Sequence, residues 1–130
     1  MSGYLLDTSV VIAHVPVAIE RLPVSAAISV VTLGELHAGV LLARDPLIRD
    51  GRHRRLRAVR AAFAALDVDE TVAEHYGDVL VAAARSHRRA AKATDLLIIA
   101  TAAAHGRTLY TFDAAQAGLA GAAGVSAEGA

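Results

Sequence analysis

Four acidic residues stand out because each lies where a parallel α/β fold gathers side chains: Asp7, Glu35, Asp95 and Asp113. Asp7 ends the apolar run Tyr4–Leu6, and a carboxylate at the end of a buried strand is costly unless something pairs with it. The carboxyl ends of parallel strands form the crevice in which such folds bind ligands. We therefore expect the four carboxylates to meet at one edge of a sheet.

Such a group of carboxylates has a specific chemical use. Like charges at one place repel each other, and a bound cation relieves that repulsion. Oxygen ligands without histidine or cysteine favour the hard ions Mg²⁺ and Mn²⁺. A pair of these ions roughly 4 Å apart can activate water and stabilise a leaving oxygen. The four acids therefore indicate metal-dependent phosphoryl transfer.

Each acid also has an ordinary structural explanation. Thr32 and Glu35 have the spacing of a capping box, in which Glu35 binds only backbone. Asp95, in the first turn of a predicted helix, complements the helix dipole. Asp7 and Asp113 could each cap a helix. The metal hypothesis therefore depends on the four acids converging, and not on any one of them.

The elements that must position these acids alternate along the chain as β-α-β-α-β-α-β, which predicts an α/β fold with a mainly parallel sheet. The predicted strands are Tyr4–Leu6, Ala26–Val31, Leu66–Val68 and Thr108–Phe112, with a weak further strand marked by Val125. The predicted helices cover Val10–His14, Pro16–Leu22, Thr32–Arg44, an amphipathic segment with Leu56, Val59, Phe63 and Leu66 on one face, a segment capped by Asp69, Leu96–Ala104 capped by Thr94 and ended by Gly106, and Ala114–Leu119.

Length and composition predict one folded domain spanning residues 1–130. The chain is 55% hydrophobic with no cysteine, and its mean hydropathy is +0.43. The lack of cysteine fits a reducing compartment, and the N-terminus has no basic region before its apolar run, as a signal peptide would. No apolar run reaches the roughly 20 residues that span a bilayer. We expect a cytoplasmic protein with no membrane contact.

The formal net charge is +0, yet the cations are clustered and nearly all are arginine. Arginine makes forked contacts with phosphate, so basic surfaces beside an acidic site favour a polyanionic substrate; a charge run can equally be a solvated face. One group is Arg44, Arg49, Arg52, Arg54, Arg55, Arg57 and Arg60, and a second, Arg85, Arg88, Arg89 and Lys92, forms one stripe if the preceding helix continues that far.

Four segments together resemble the PIN-domain ribonucleases of the VapC toxin family. They are Leu5–Ile12, Val31–Leu36, Ala93–Ala100 and Leu109–Asp113, and they occur in the family's order over nearly the whole chain. The chain departs from the family where Thr94 replaces a common asparagine, near Ala117, where an aromatic residue is common, and in its weak last strand. The resemblance implies a PIN-like three-layer α/β/α sandwich.

The same resemblance implies an activity, a cofactor and partners. It implies an endoribonuclease that requires Mg²⁺, or Mn²⁺, and cleaves structured RNA to leave a 5′-phosphate and a 3′-hydroxyl. It also implies a homodimer that is inhibited by a VapB-type antitoxin. The implied acidic pocket consists of Asp7, Glu35, Asp95 and Asp113, with Asp7 and Asp95 as direct metal ligands. Thr8, Ser9 and Thr111 match polar positions that could support a water molecule or the metal.

The antitoxin is expected to lay a helix in an apolar cleft with a basic rim. We expect this cleft to be lined by Leu36, Val40 and Leu41 of one helix and by Leu56 and Val59 of the next.

Three other classes of protein stay open on the residues alone. A metal-dependent phosphohydrolase of one well-known kind needs a second aspartate at the position of Ser9. A phospho-acceptor receiver domain needs a lysine near its last strand, whereas Lys92 is the only lysine. A binding protein that keeps the fold without catalysis is the third. Cleavage of RNA in the presence of metal by purified protein separates the ribonuclease from all three.

Overall fold

Five short parallel strands form one sheet in the computed structural model, which describes residues 3–13, 25–87 and 91–129. The strands are β1 (Tyr4–Leu6), β2 (Ala26–Ser29), β3 (Ala64–Leu66), β4 (Thr108–Tyr110) and β5 (Ala127–Glu128). The central strand β1 pairs with β2 on one side and β4 on the other, so that Tyr4 lies opposite both Ala26 and Thr108. The spatial order is β3-β2-β1-β4-β5.

Helices cover both faces of this sheet. Because successive side chains of a strand point to opposite faces, Leu5 enters one core cluster and Leu6 the other. The described helices are α1 (Thr8–Ile12), α2 (Val30–Leu42), α3 (Pro46–Ala62), α4 (Glu70–Arg85), α5 (Ala93–Ala104) and α6 (Ala114–Ala122). The result is the predicted three-layer α/β/α arrangement with an all-parallel sheet.

Each face has its own apolar core. On one face, α4, α5 and α6 pack around Leu5 and Leu109, and Ile98 and Ile99 of α5 are fully buried there. On the other face, α1, α2 and α3 pack around Leu6 and Ile28. The central strands β1, β2 and β4 are therefore covered on both sides, as their near-continuous apolar runs predict, whereas Ala64 and Ala65 of the edge strand β3 are exposed.

The third strand and the helix before it differ from the prediction by a few residues. The apolar spacing extends the helix through Phe63 to Leu66, but α3 ends at Ala62 and Phe63 is already extended. The chain then pairs with β2 in parallel, with Ala27 opposite Ala64 and Ser29 opposite Leu66. Strand pairing takes over from helical periodicity here because it satisfies the backbone hydrogen bonds along β2.

The predicted basic stripe is not continuous on one helix. Helix α4 ends at Arg85, and His87 adopts a left-handed backbone conformation with φ of 58°, which stops a helix. Lys92 instead precedes α5 as its N-cap. Arg88 and Arg89 lie outside the described residues, as does the predicted helix Pro16–Leu22.

Four of the five residues that were expected to line an apolar cleft are buried in the core, so that part of the prediction is wrong. Leu36 and Val40 of α2 are only 6% and 7% exposed, and Leu56 and Val59 of α3 pack against them in the second core cluster. Two helices packed on a sheet bury the sides that face each other, so these residues are used by the fold itself. Leu41, the fifth residue of the expected cleft, is exposed, and it lies with Leu42, Leu47 and Ile48 around the turn between α2 and α3.

Two predictions about the ends of helices, at Asp69 and Gly106, are confirmed. Asp69 caps α4 by accepting a hydrogen bond from the backbone N–H of Val72. Gly106 follows α5 with φ of +60°, the left-handed conformation that glycine adopts without strain. Among the described residues, no helix is long and apolar enough to cross a membrane.

Candidate active site

Asp7 lies directly after β1, and two hydroxyl groups hold its carboxylate. Ser9 and Thr111 each donate to Oδ2 of Asp7 over 2.8 Å. A hydroxyl has one proton, so both protons are committed to this oxygen and the 3.2 Å contact between the two hydroxyls carries none. No donor among the described residues is bonded to Oδ1. Asp7 is only 5% exposed as a residue, and its carboxylate is fixed through one oxygen while the other remains available to a ligand.

The same two hydroxyls also tie the site to the chain that follows β4. The backbone N–H of Phe112 donates to Oγ of Ser9, and the backbone N–H of Asp113 donates to Oγ1 of Thr111, each over 3.1 Å. Each hydroxyl therefore accepts from backbone while it donates to Asp7. The bonds of Ser9 with Phe112 and of Thr111 with Asp7 join residues about one hundred positions apart, and with the bond from Asp113 to Thr111 they set the place of Asp113 relative to Asp7.

Asp113 begins α6 as its N-cap. Its Oδ1 accepts from the backbone N–H groups of Ala115 and Gln116, over 2.9 and 3.2 Å. The capping explanation is therefore correct for this oxygen. Asp113 is exposed, and its second oxygen has no donor among the described residues.

Glu35 reaches the site through a chain of hydroxyls. Thr8, the neighbour of Asp7, donates to Oε1 of Glu35 over 2.7 Å and lies 2.9 Å from the hydroxyl of Thr32. Since the one proton of Thr8 points to Glu35, Thr32 is the donor to Thr8. The expected capping box is absent because α2 begins earlier, with Ser29 as its N-cap. Thr32, fully buried, instead supports the hydrogen bond to Glu35.

Asp95 lies in the first turn of α5 and is destabilised as an anion. Burial raises its pKa, and the charges of Asp7 and Asp113 raise it further, while a backbone hydrogen bond from Lys92 and the charge of that lysine act in the opposite direction. The backbone bond to the N-cap residue is the reciprocal half of a capping box. The predicted cap Thr94 is inside the helix, which begins at Ala93.

The four predicted acids thus lie in two connected sets at the edge of the sheet where the parallel strands have their carboxyl ends, which we call the carboxyl edge. Asp7, Asp95 and Asp113 lie within electrostatic reach, since two of these charges shift the pKa of the third. Glu35 joins them through Thr8.

The sequence reasoning missed Gln116, a buried amide that donates from Nε2 to the carbonyl oxygen of Asp95 over 3.0 Å. Its position on the same helical face as Leu119 and Ala120 is the signal that could have revealed it.

The donor set fits a hard divalent ion, although the side chains alone do not enclose one. In the described ranges, no group of three or more histidine, aspartate or glutamate side chains is arranged to hold a metal ion by itself. Mg²⁺ commonly takes one or two carboxylates and completes its shell with water and substrate phosphate. The available oxygen of Asp7 and the mutual repulsion acting on Asp95 match that requirement.

The arginine-rich helix α3 has two classes of arginine. Arg49, Arg52 and Arg55 donate to the carbonyl oxygens of Ala43, Gly39 and Ile12, so they fasten α3 to α2 and to the end of α1. Arg54, Arg57 and Arg60 are exposed and make no such hydrogen bond within the part of the chain that the structure describes. Only this second class is available to a phosphate backbone.

The fold and the acidic carboxyl edge define a PIN domain. The family model described as PIN domain matches residues 4–122, so the chain belongs to this family. The ribonuclease VapC8 of Mycobacterium tuberculosis is 45% identical over 101 residues, which cover 75% of this chain and 88% of that protein. The ribonuclease VapC4 of the same organism is 41% identical over 88 residues, which cover 66% of this chain and 65% of that protein.

Solved structures show the same fold. A toxin–antitoxin structure of Mycobacterium tuberculosis, VapBC-5, matches with a TM-score of 0.84 and 37% identity over 98% of each chain. The structure of FitAcB from Neisseria gonorrhoeae matches with a TM-score of 0.79 and 30% identity over 95% of each chain.

Proposed function

We propose that this protein is a Mg²⁺-dependent endoribonuclease, with Mn²⁺ as a possible substitute, that cleaves structured cellular RNA. Its single domain acts in the cytoplasm as the toxin of a type II toxin–antitoxin module. The observation that carries the proposal is the carboxylate of Asp7, held by Ser9 and Thr111 on one oxygen, whose charge, together with that of Asp113, repels Asp95. The names of the VapC relatives support the choice of RNA as substrate.

Asp7 and Asp95 are the residues that would hold the ion directly, and Glu35 and Asp113 complete the acidic surface. The bound ion supplies Lewis-acid activation of water and of the scissile phosphate. Ser9 and Thr111 hold Asp7 in one orientation, and Thr8 holds Glu35. This arrangement is preorganised, because the hydroxyl donors are already in place before substrate arrives.

The exposed arginines of α3 offer contacts for the RNA backbone. Arg54, Arg57 and Arg60 are the cations that are not needed to fasten α3 to its neighbours. Their guanidinium groups would bind phosphate oxygens without reading base identity. Recognition of structured RNA would therefore depend on the shape of the substrate as well as on its charge.

The proposed partners are a VapB-type antitoxin and a second copy of the chain. The similarity to the VapBC-5 toxin–antitoxin structure supports the antitoxin. Expression of the chain alone is expected to arrest growth, and co-expression of a small adjacent reading frame that encodes the antitoxin should relieve the arrest. Harmless expression of folded protein would contradict the toxin assignment.

The test of the activity is cleavage of a structured RNA by purified protein with Mg²⁺, Mn²⁺ or excess chelator. Asp7→Asn should abolish cleavage while the fold is kept, because it removes a charge from a repulsive cluster and keeps the shape of the side chain. The products should carry a 5′-phosphate and a 3′-hydroxyl.

The matched control is Asp78→Asn, which neutralises an exposed acid of α4 outside the site. It should cleave at the wild-type rate. Full activity of Asp7→Asn, or of the wild-type protein in chelator, would overturn the proposed mechanism.

A further inference from the structure

Gln116 is a buried amide on a helical face that otherwise packs into the core. The buried residues of α6 are Gln116, Leu119 and Ala120, at the spacing of one apolar stripe, and Gln116 is only 4% exposed. Leu119 and Ala120 belong to the first core cluster. A polar group at such a position is costly unless hydrogen bonds satisfy it, so the contacts of Gln116 are informative.

Those contacts join the two acids that start neighbouring helices. The side-chain Nε2 of Gln116 donates to the carbonyl oxygen of Asp95 over 3.0 Å. The backbone N–H of Gln116 donates to Oδ1 of Asp113 over 3.2 Å, beside the bond from Ala115. One residue is therefore tied through its backbone to one acid and through its side chain to the other.

This connection opposes a force that would separate the acids. Like charges on Asp95 and Asp113 repel, and the first residues of α6, Ala114 and Ala115, are exposed and add no core packing. Without the amide of Gln116, the start of α6 would be held to α5 less firmly. A shift of about 1 Å in a reacting group is enough to lower the rate of an enzyme substantially.

We propose that Gln116 is a positioning residue that holds Asp95 and Asp113 at the separation at which the divalent ion is bound. The proposal depends on the proposed function, since it concerns the same acidic site. Gln116 acts through the backbone at Asp95 and through the cap at Asp113, and it does not itself touch the ion or the RNA.

The experiment measures Mn²⁺ binding by calorimetry, together with RNA cleavage at saturating Mn²⁺, for three variants. Gln116→Met keeps the length of the side chain but has no donor, and Gln116→Asn keeps the amide but is one methylene too short. Both should weaken Mn²⁺ binding by about 10-fold, the lower range for residues that orient metal ligands. They should also lower kcat, with KM for RNA little changed.

The matched control is Leu119→Met, which alters the same buried face and leaves the connection intact. It should bind Mn²⁺ as the wild-type protein does, which separates positioning from a general effect on the core. If Gln116→Met does not fold, Gln116→Asn decides the question alone, and if neither variant folds the assigned role is wrong because the residue then serves the fold. Wild-type Mn²⁺ affinity in either folded variant would also overturn the role, whereas a wild-type protein that binds no Mn²⁺ would overturn the metal-dependent function and this role with it.

Discussion

The acidic site has two halves that are held by different forces. In the strand half, Asp7 follows β1 and receives two hydroxyl hydrogen bonds, one from Ser9 and one from Thr111. In the helix half, Asp95 and Glu35 are carried by α5 and α2, and one hydroxyl bond reaches Glu35. The carboxylate of Asp95 receives a backbone bond from Lys92 and is attracted by the charge of that lysine, but burial and the charges of Asp7 and Asp113 destabilise its anion. The carbonyl oxygen of Asp95 accepts from the side chain of Gln116.

The difference shows how a small domain can combine one rigidly held carboxylate, that of Asp7, with carboxylates whose positions are adjustable. The strand half is oriented by directional bonds that exist without any ligand. The helix half takes its position from the apolar packing of whole helices, through buried residues such as Leu36 of α2 and Ile99 of α5. We therefore expect substitutions in the two halves to fail in different ways.

The largest effect should come from breaking the packing that positions the helix half. Leu36→Glu removes a buried leucine, which alone costs about 2–5 kcal/mol, and adds an unpaired carboxylate. We expect loss of the folded state, measured by urea unfolding with circular dichroism. Leu42→Glu, at a side chain that is 77% exposed, is the control and should change stability by less than about 0.5 kcal/mol. Equal stabilities of the two variants would show that the burial of Leu36 does not hold α2 on the sheet.

An intermediate effect should follow from removing one hydroxyl of the strand half. Thr111→Val keeps the shape but deletes the donor to Asp7 and the acceptor of the Asp113 N–H. Cleavage should fall by about 10–100-fold, as is usual when a group that orients a metal ligand is lost.

The corresponding change in the helix half is Thr32→Val. Thr8 keeps its bond to Glu35 in this variant, so the loss should stay below about 10-fold. Rates of cleavage at saturating Mg²⁺ compare the two variants. Equal losses of cleavage rate in Thr111→Val and Thr32→Val would show that the strand half and the helix half do not differ in their dependence on hydroxyl hydrogen bonds.

The smallest effect should be the change in thermal stability when Asp95, the acid repelled by its neighbours, is replaced by asparagine. The pKa of Asp95 is raised above 3.8, so between 3.8 and its raised value the native state binds more protons than the unfolded state. The contribution of this carboxyl to stability therefore falls as pH rises through that window and remains unfavourable above it. Without metal, Asp95→Asn should raise the Tm slightly at neutral pH and have no effect well below pH 3.8.

With added Mn²⁺, the wild-type protein should have the higher Tm, because the ion binds the carboxylate of Asp95 and stabilises the folded state, whereas Asp95→Asn lacks that carboxylate. Thermal unfolding at two pH values, with and without Mn²⁺, checks both signs. A lower Tm for Asp95→Asn in metal-free buffer at neutral pH would contradict the assigned repulsion.

Local pattern was enough to place the acids on the correct elements. Apolar runs identified β1, β2 and β4, and the residues that end or begin elements, such as Asp69 and Gly106, behaved as their types predict. Because parallel strands present their carboxyl ends at one edge, the neighbourhood of Asp7, Asp95 and Asp113 followed from chain order. The resemblance to VapC proteins then added the substrate and the partner as expectations.

What the tertiary structure alone decided is which groups meet across long stretches of chain. Helical periodicity extended α3 past Ala62, whereas pairing with β2 ended it. Leu36 and Val40 looked available to a partner because a sequence does not show which face of a helix another helix covers. The bonds from Thr111 to Asp7 and from Gln116 to Asp95 depend on a folded arrangement of separate elements, which no local spacing encodes.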